Sequence, residues 1–116
     1  MAVPEEKLSK CAIESNCVLI ELEYKDIDKA YEELVKLSKR IPRTIVIKEN
    51  GIYFHGVCKS LIFRFPDDLE VLKCSKDKII QIKSSSRYGL FDLGVNKRRV
   101  DFLYKELSQA AILNGF

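Results

Sequence analysis

The chain is poor in the residues from which catalytic and metal sites are usually built. It has one histidine, His55, in 116 residues, so neither a histidine pair nor a set of metal-spaced histidines can form. The four cysteines, Cys11, Cys17, Cys58 and Cys74, show no CxxC spacing, which argues against structural zinc. A GxxxxGK[ST] phosphate loop, a GxSxG nucleophile elbow and an EF-hand loop are all missing. No cofactor is expected on these grounds. No stretch approaches 18 apolar residues, the length a spanning helix needs. The opening "MAVPEEKLSKCAIESNC" has acids where a signal peptide carries cations and lacks an apolar core segment. As written, the chain reads as cytoplasmic or stromal.

What is present suits an ordinary folded domain. Hydrophobic residues make up 47% and charged residues 32%, and the length is close to that of one domain with its own core. Twenty basic and seventeen acidic residues leave a net charge of +3, too little for a nucleic-acid partner to be favoured. Residues 1–16 are polar and aperiodic and read as an N-terminal arm, followed by a single α+β domain over 17–116. "CVLIELEY" alternates and suits a short strand or an extended lead-in. In "DIDKAYEELVKLSKR", Ile27, Ala30, Tyr31, Leu34 and Leu37 recur at helical spacing, with Asp26 as N-cap and Pro42 beyond the end.

A β-type region follows. "RTIVIKE" and "IYFHGVC" flank Asn50-Gly51, which predicts a hairpin with a type I′ turn. Strand-like "SLIFRF", "LEVLKC" and "KIIQIKS" are separated by "PDD" and "SKD", which read as turns, and Gly56 reads as a bend or bulge. Val100, Leu103, Tyr104, Leu107 and Ala111 then form one helical stripe, with Asn96 as N-cap, Val95 and Val100 spaced for a hydrophobic staple, and Asn114-Gly115 as the stop. The predicted fold class is α+β: an antiparallel meander of four to five strands packed with an N-terminal helix over about 27–40 and a C-terminal helix over about 97–112.

The chemistry concentrates in "SSSRYGLFDLGVNKRRV". Lys97, Arg98 and Arg99 fill the first turn of the predicted helix, where cations oppose the macrodipole. Two arrangements compensate them. In one, Asp67, Asp68 and Asp92, placed in loops at the sheet ends, accept hydrogen bonds from Arg87, Arg98 or Arg99. In the other, a bound phosphate or carboxylate sits on the helix start. Arg87 is expected to brace the glycine-flanked loop 88–94, with Leu90, Phe91 and Leu93 tucked inward. Ser84, Ser85 and Ser86 lack an elbow, and a Cys58-His55 dyad lacks an orienting third group. The cysteines read as reduced thiols by default, with a Cys11–Cys17 disulfide as the alternative in an oxidising compartment.

Two segments resemble the domain of unknown function 1499 family, found in bacteria, cyanobacteria and plastid-bearing eukaryotes. "FRFPDD" supplies Phe63, Phe65, Asp67 and Asp68. "KSSSRYGLFDLGVNKRRV" supplies Ser84, Ser86, Arg87, Gly89, Asp92, Gly94, Asn96 and Arg99. "SNCV" at 15–18 looks like the family's Asn-Cys-Val element, so the resemblance spans roughly 15–107. Lys83 stands where the family usually has arginine, and Val18 is followed by "LIELEY" rather than small polar residues. The resemblance implies no particular activity, and many relatives look membrane-anchored or targeted to thylakoids or the periplasm.

The residues together point to a non-enzymatic binding or accessory module. Its polar patch is expected to comprise Asp67, Asp68, Ser84, Ser86, Arg87, Asp92, Asn96, Arg98 and Arg99, and to meet an anionic small molecule or a protein partner. Peripheral membrane association is compatible with this, and the oligomeric state is open. The alternatives are a structural subunit of a membrane-associated, photosynthetic assembly, and a hydrolase or transferase using Cys58-His55 or the serines.

Overall fold

The computed structural model describes residues 7–61, 64–89 and 92–116. A single 3-10 turn, Glu14–Asn16, leads into β1, Cys17–Glu23. Helix α1 spans Ile27–Lys39, and four strands follow as β2 Thr44–Glu49, β3 Tyr53–Lys59, β4 Pro66–Cys74 and β5 Ile79–Ser86. Helix α2, Val95–Asn114, closes the fold. The sheet order is β1-β5-β4-β3-β2 with every pair antiparallel. The last four strands are thus a meander, and β1 is added beside β5 as the fifth.

Both helices cover one face of this sheet. In α1 the Asp26 carboxylate accepts the Lys29 amide at 3.1 Å, satisfying one donor that a helix start leaves orphaned. Ala30, Leu34, Leu103 and Leu107 are fully buried against Phe54, Leu69, Val71, Ile80 and Ile82. Each large apolar side chain buried in this way stabilises the fold by about 1.5–3 kcal/mol. Helix α2 ends at Gly115, whose φ of 75° gives the left-handed cap that Asn114-Gly115 predicted.

Several local expectations are corrected. The hairpin at Asn50-Gly51 forms, but neither residue takes a positive φ, so the turn is not type I′. Instead the Asn50 side-chain oxygen accepts the amides of Ile52 and Tyr53, both at 2.9 Å, and builds a three-residue loop. The bulge lies in β2, between Val46 and Lys48, opposite the Gly56–His55 step. Gly56 is needed for space: a Cβ there would sit 3.1 Å from the Phe54 ring and 3.2 Å from the Thr44 methyl.

"PDD" is not a turn but the first three residues of β4, Pro66 standing at the strand start where its missing donor is tolerated. Asp67 and Asp68 therefore occupy a strand rather than a loop. "SLIFRF" is correspondingly not a strand: its described residues Ser60, Leu61, Arg64 and Phe65 belong to the β3–β4 connection, closed by Ser60 N to Phe65 O at 3.3 Å. Phe63, Leu90 and Phe91 lie outside the described residues.

The cysteines divide into two kinds. Cys58 and Cys74 are buried free thiols, whereas Cys11 and Cys17 form a disulfide, replacing the default reading of four reduced thiols. The bond ties residues 7–13 back across the sheet face opposite the helices. There the Leu8 amide donates to Gln81 Oε1 at 2.7 Å, and Lys83 Nζ to Ser9 Oγ at 2.9 Å. Replacing both cysteines by serine is expected to lower stability by about 2 kcal/mol through the unfolded chain's regained loop entropy. It should also speed hydrogen exchange at Leu8 while α1 amides stay protected. Unchanged exchange at Leu8 would show that the arm docks without its covalent tie.

Candidate functional site

The inner face of the sheet turns from apolar to polar toward one end. Along β5 the helix-facing residues run Ile80, Ile82, Ser84, Ser86, and on β4 the partners of the last three are Val71, Leu69 and Asp67. The first turn of α2 lies over this polar end and lowers Asn96 and Arg99 onto it.

Asn96 is fully buried and uses its whole side-chain amide. Its Nδ2 donates to Asn16 O at 3.1 Å, Ser86 Oγ at 3.0 Å and Asp92 Oδ2 at 2.7 Å. Its Oδ1 accepts from Ser84 Oγ at 2.6 Å and Arg99 Nη1 at 2.9 Å. Arg99 Nη1 also reaches Ser84 Oγ and Asp67 Oδ2, each at 3.0 Å. The Asp67–Arg99 pair is nearly dry, with side-chain exposures of 4% and 9%. Burial pushes the Asp67 carboxyl above its ordinary value, and Arg99 and Ser86 offset only part of that push.

Asn96 is not the N-cap. The helix begins one residue earlier, at Val95, preceded by Leu93 and Gly94 in left-handed conformation with φ of 55° and 78°. The N-cap position is Gly94, which has no side chain to offer, and the helix start is held from two residues earlier by Asp92, whose carboxylate accepts Gly94 N at 2.8 Å and Asn96 N at 3.1 Å, while its carbonyl accepts Val95 N at 3.1 Å. Burial alone would raise the Asp92 pKa, but the side-chain and backbone donors of Asn96 and Gly94 outweigh it and hold the carboxyl below the usual range. The anion that a cationic helix start requires is thus supplied by the chain itself. Gly94 has little room to change: besides its positive φ, an added Cβ would come within 3.0 Å of Arg98 Nη1.

The remaining candidates separate from this cluster. Asp68 lies on the opposite sheet face, where Arg87 grips it with two hydrogen bonds, both 2.9 Å, and His55 Nε2 approaches at 2.7 Å. Desolvation acts to raise the Asp68 pKa, yet the Arg87 and His55 contacts prevail and lower it. Arg87 does brace the loop start, its amide donating to Pro66 O at 3.1 Å, but its side chain is 43% exposed. Ser85 pairs with Asp68 across the strands, and so also belongs to that opposite face.

Among the described residues Arg98 meets no carboxylate, and it donates to Leu93 O at 3.0 Å. Leu93 itself is 78% exposed rather than tucked inward, because its left-handed backbone precedes the helix on the outer side of the cap.

His55 and Cys58 sit three residues apart on β3, so the strand's alternation sends them to opposite faces. His55 binds Asp68, while the Cys58 thiol accepts from Thr44 Oγ1 at 3.2 Å on the helix side. Burial raises the Cys58 pKa, and the two do not form a dyad. Ser84 and Ser86 are bound into the network of Asn96, Arg99 and Asp67. Among the described residues, no group of three or more histidine, cysteine or acidic side chains could hold a metal ion.

Beside the network lies a hollow of about 380 Å³. Its walls are Leu61, Phe65, Tyr88, Leu93 and Val95, its floor is formed by Asp67, Ser86 and Asp92, and Arg98 stands on its lining.

Residues 7–107 match the model of the family described as Protein of unknown function (DUF1499). The chain belongs to this family. Its motif residues Ser84, Ser86, Asp92, Asn96 and Arg99 are the ones the fold of this DUF1499 member brings together, with Asp67 from the first motif completing the buried pair. Asn16, from the "SNCV" element, was missed as a site residue by sequence reasoning. Its carbonyl receives Asn96 and its Nδ2 donates to Gly89 O at 2.7 Å. The adjacent Cys17 was the available signal, since a residue next to a disulfide is held in place. No curated protein matches the chain, and no described helix is long and apolar enough to cross a membrane.

Proposed function

We propose that the domain is a non-enzymatic binding module, in which the Asp67, Ser84, Asp92, Asn96 and Arg99 network is scaffold and the hollow beside it receives the ligand. The observation that carries this reading is the pairing of an apolar-walled hollow of about 380 Å³ with a guanidinium, Arg98, that has no carboxylate partner among the described residues. Apolar pockets with a few convergent polar groups are the usual form of small-molecule sites. The floor carboxylates of Asp67 and Asp92 repel an anion placed deep in the hollow. The fitting ligand is therefore amphipathic, with its apolar body against Leu61, Phe65 and Leu93 and its acid group outward on Arg98. The disulfide favours a compartment that is not reducing.

Decanoate below its micelle concentration is a suitable probe. It is expected to raise the melting temperature of the wild type in proportion to binding of the native state. Arg98→Ala removes a charge-assisted contact worth about 1.5–3 kcal/mol, which corresponds to about 10- to 100-fold weaker binding. Decanol should bind the variant and the wild type alike. A decanoate affinity that Arg98→Ala leaves unchanged would refute the assignment.

A further inference from the structure

Exposed apolar side chains occur on β2 and at the end of α2, at Ile45, Ile47, Ile112 and Leu113, and a further group surrounds an open hollow. Leu61, Tyr88 and Leu93 are 70%, 65% and 78% exposed and Phe65 is 54% exposed, all on the rim of the hollow described above. A second hollow, of about 490 Å³, opens between the end of α1 and the start of α2 and is lined by Ile41, Pro42 and Phe102. Val95 and Arg98 line both. The two hollows therefore form one continuous, largely apolar surface at a single end of the sheet. Monomeric proteins seldom leave such surfaces uncovered without a use for them.

Cations without a carboxylate partner gather around this surface. Arg40, Arg43, Lys59, Arg64 and Arg98 are exposed, and none has a carboxylate partner among the described residues. Among the described residues, lysines such as Lys36, Lys48 and Lys105 also lack one elsewhere, but of the six arginines the four without a carboxylate partner, Arg40, Arg43, Arg64 and Arg98, all lie at this end, while Arg87 and Arg99 are paired. The cations sit together: Arg43 Nε donates to Lys59 O at 3.0 Å, Lys59 precedes the Ser60–Phe65 connection, and Arg40 and Arg98 line the second hollow. The acids nearest this end are consumed internally, Asp67 by Arg99, Asp68 by Arg87 and Asp92 by the start of α2. Glu106 also lines the second hollow, one helical turn further along α2 than Phe102.

We infer that this end of the molecule docks on a bilayer containing anionic phospholipid. Leu61, Phe65 and Leu93 enter the headgroup region while the guanidinium groups engage lipid phosphates, two oxygens of which the planar guanidinium fork can hold at once. Charge complementarity selects this occupant. A second copy of the chain would set five unpaired cations against the same five, whereas an anionic bilayer neutralises them. The inference does not depend on the small-molecule reading, because a bilayer is engaged by the rim and not by the floor of the hollow.

The test is co-sedimentation of the full chain with vesicles of phosphatidylcholine alone and of phosphatidylcholine with phosphatidylglycerol, at low and high salt. Binding is expected only to the anionic vesicles, weakening as salt screens the cations. Arg40→Glu/Lys59→Glu should reduce it by about tenfold or more. Leu93→Asp should reduce it as well, and since all three positions are exposed the variants should keep the wild-type melting temperature. Decanoate binding should be unchanged in Arg40→Glu/Lys59→Glu, so a failure of one assignment is distinguishable from a failure of the other. No partition into anionic vesicles, or partition that neither variant alters, would overturn the docking surface.

Discussion

Arg99→Met is expected to destabilise the domain by about 3–5 kcal/mol, because it leaves the Asp67 carboxylate buried without its counter-charge. The loss corresponds to a fall in melting temperature of about 10–20 °C. Its pH dependence identifies the cause. Burial already holds the Asp67 carboxyl above its ordinary value in the wild type, and removing Arg99 takes away the main opposing influence and moves it higher. Between the unfolded-state pKa, about 3.9 for an aspartate, and this raised value, the folded chain binds more protons than the unfolded chain. Stability therefore falls as pH rises through that window. The deficit of the variant should be greatest near neutral pH and should shrink as Asp67 takes up its proton. Adding Asp67→Asn to Arg99→Met removes the stranded charge and should recover much of the loss. Denaturant titrations of both variants across this range are decisive, and a deficit independent of pH would show that Arg99 acts through packing alone.

Asn96→Ala is expected to be about as costly, for a reason that involves no charge. Five polar contacts converge on this one side chain, three of them sharing the two hydrogens of Nδ2. Its removal leaves Asn16 O and Ser84 Oγ short of a partner where water is excluded, and Ser86 Oγ short of one beside the hollow. A stranded buried group costs about 1–3 kcal/mol, so a total of about 3–5 kcal/mol is expected after partial relaxation. Asn96→Asp, nearly the same shape, should do no better near neutral pH: it cannot donate to Asp92 Oδ2, 2.7 Å away in the wild type, and adds a like charge beside it. The aspartate variant should improve as pH falls and its carboxyl is neutralised, whereas the alanine variant should not. A loss below about 1 kcal/mol in Asn96→Ala would mean that the three strand-end groups find other partners.

How much of this was legible depended on how local the causes were. Helix α1 could be placed almost to the residue because Asp26 caps an amide three positions away and the apolar spacing lies within the segment. Helix α2 could likewise be placed by its stripe, but its cap could not. Asp92 reaches forward to Gly94 and Asn96 through a left-handed step at Leu93, and a helix-favouring window carries no trace of that geometry. "PDD" was misread because aspartates favour turns when only their own backbone is considered. In β4, Asp67 is held by Arg99 from thirty-two residues away and Asp68 by Arg87 from nineteen, and those distant partners override the local preference.

The disulfide has the same character. A spacing of six between Cys11 and Cys17 permits a bond without requiring one, and β1 pairing with β5 is what sets the surface over which the arm returns.

Taken by itself, the sequence determined both helices and the central part of most strands, that the sheet is a meander packed with two helices, and that cations in the first turn of α2 need an anion nearby. Only the tertiary structure decided which anion each cation receives. Strand register sends Asp67 to the helix face and Asp68 to the other, since neighbouring strand residues point to opposite sides. One aspartate thereby joins the buried network with Arg99 and the other meets Arg87 and His55 outside it. Arg98, one residue before Arg99 on a helix that turns about 100° per residue, is carried away from both and left, among the described residues, with no carboxylate at the edge of an apolar hollow.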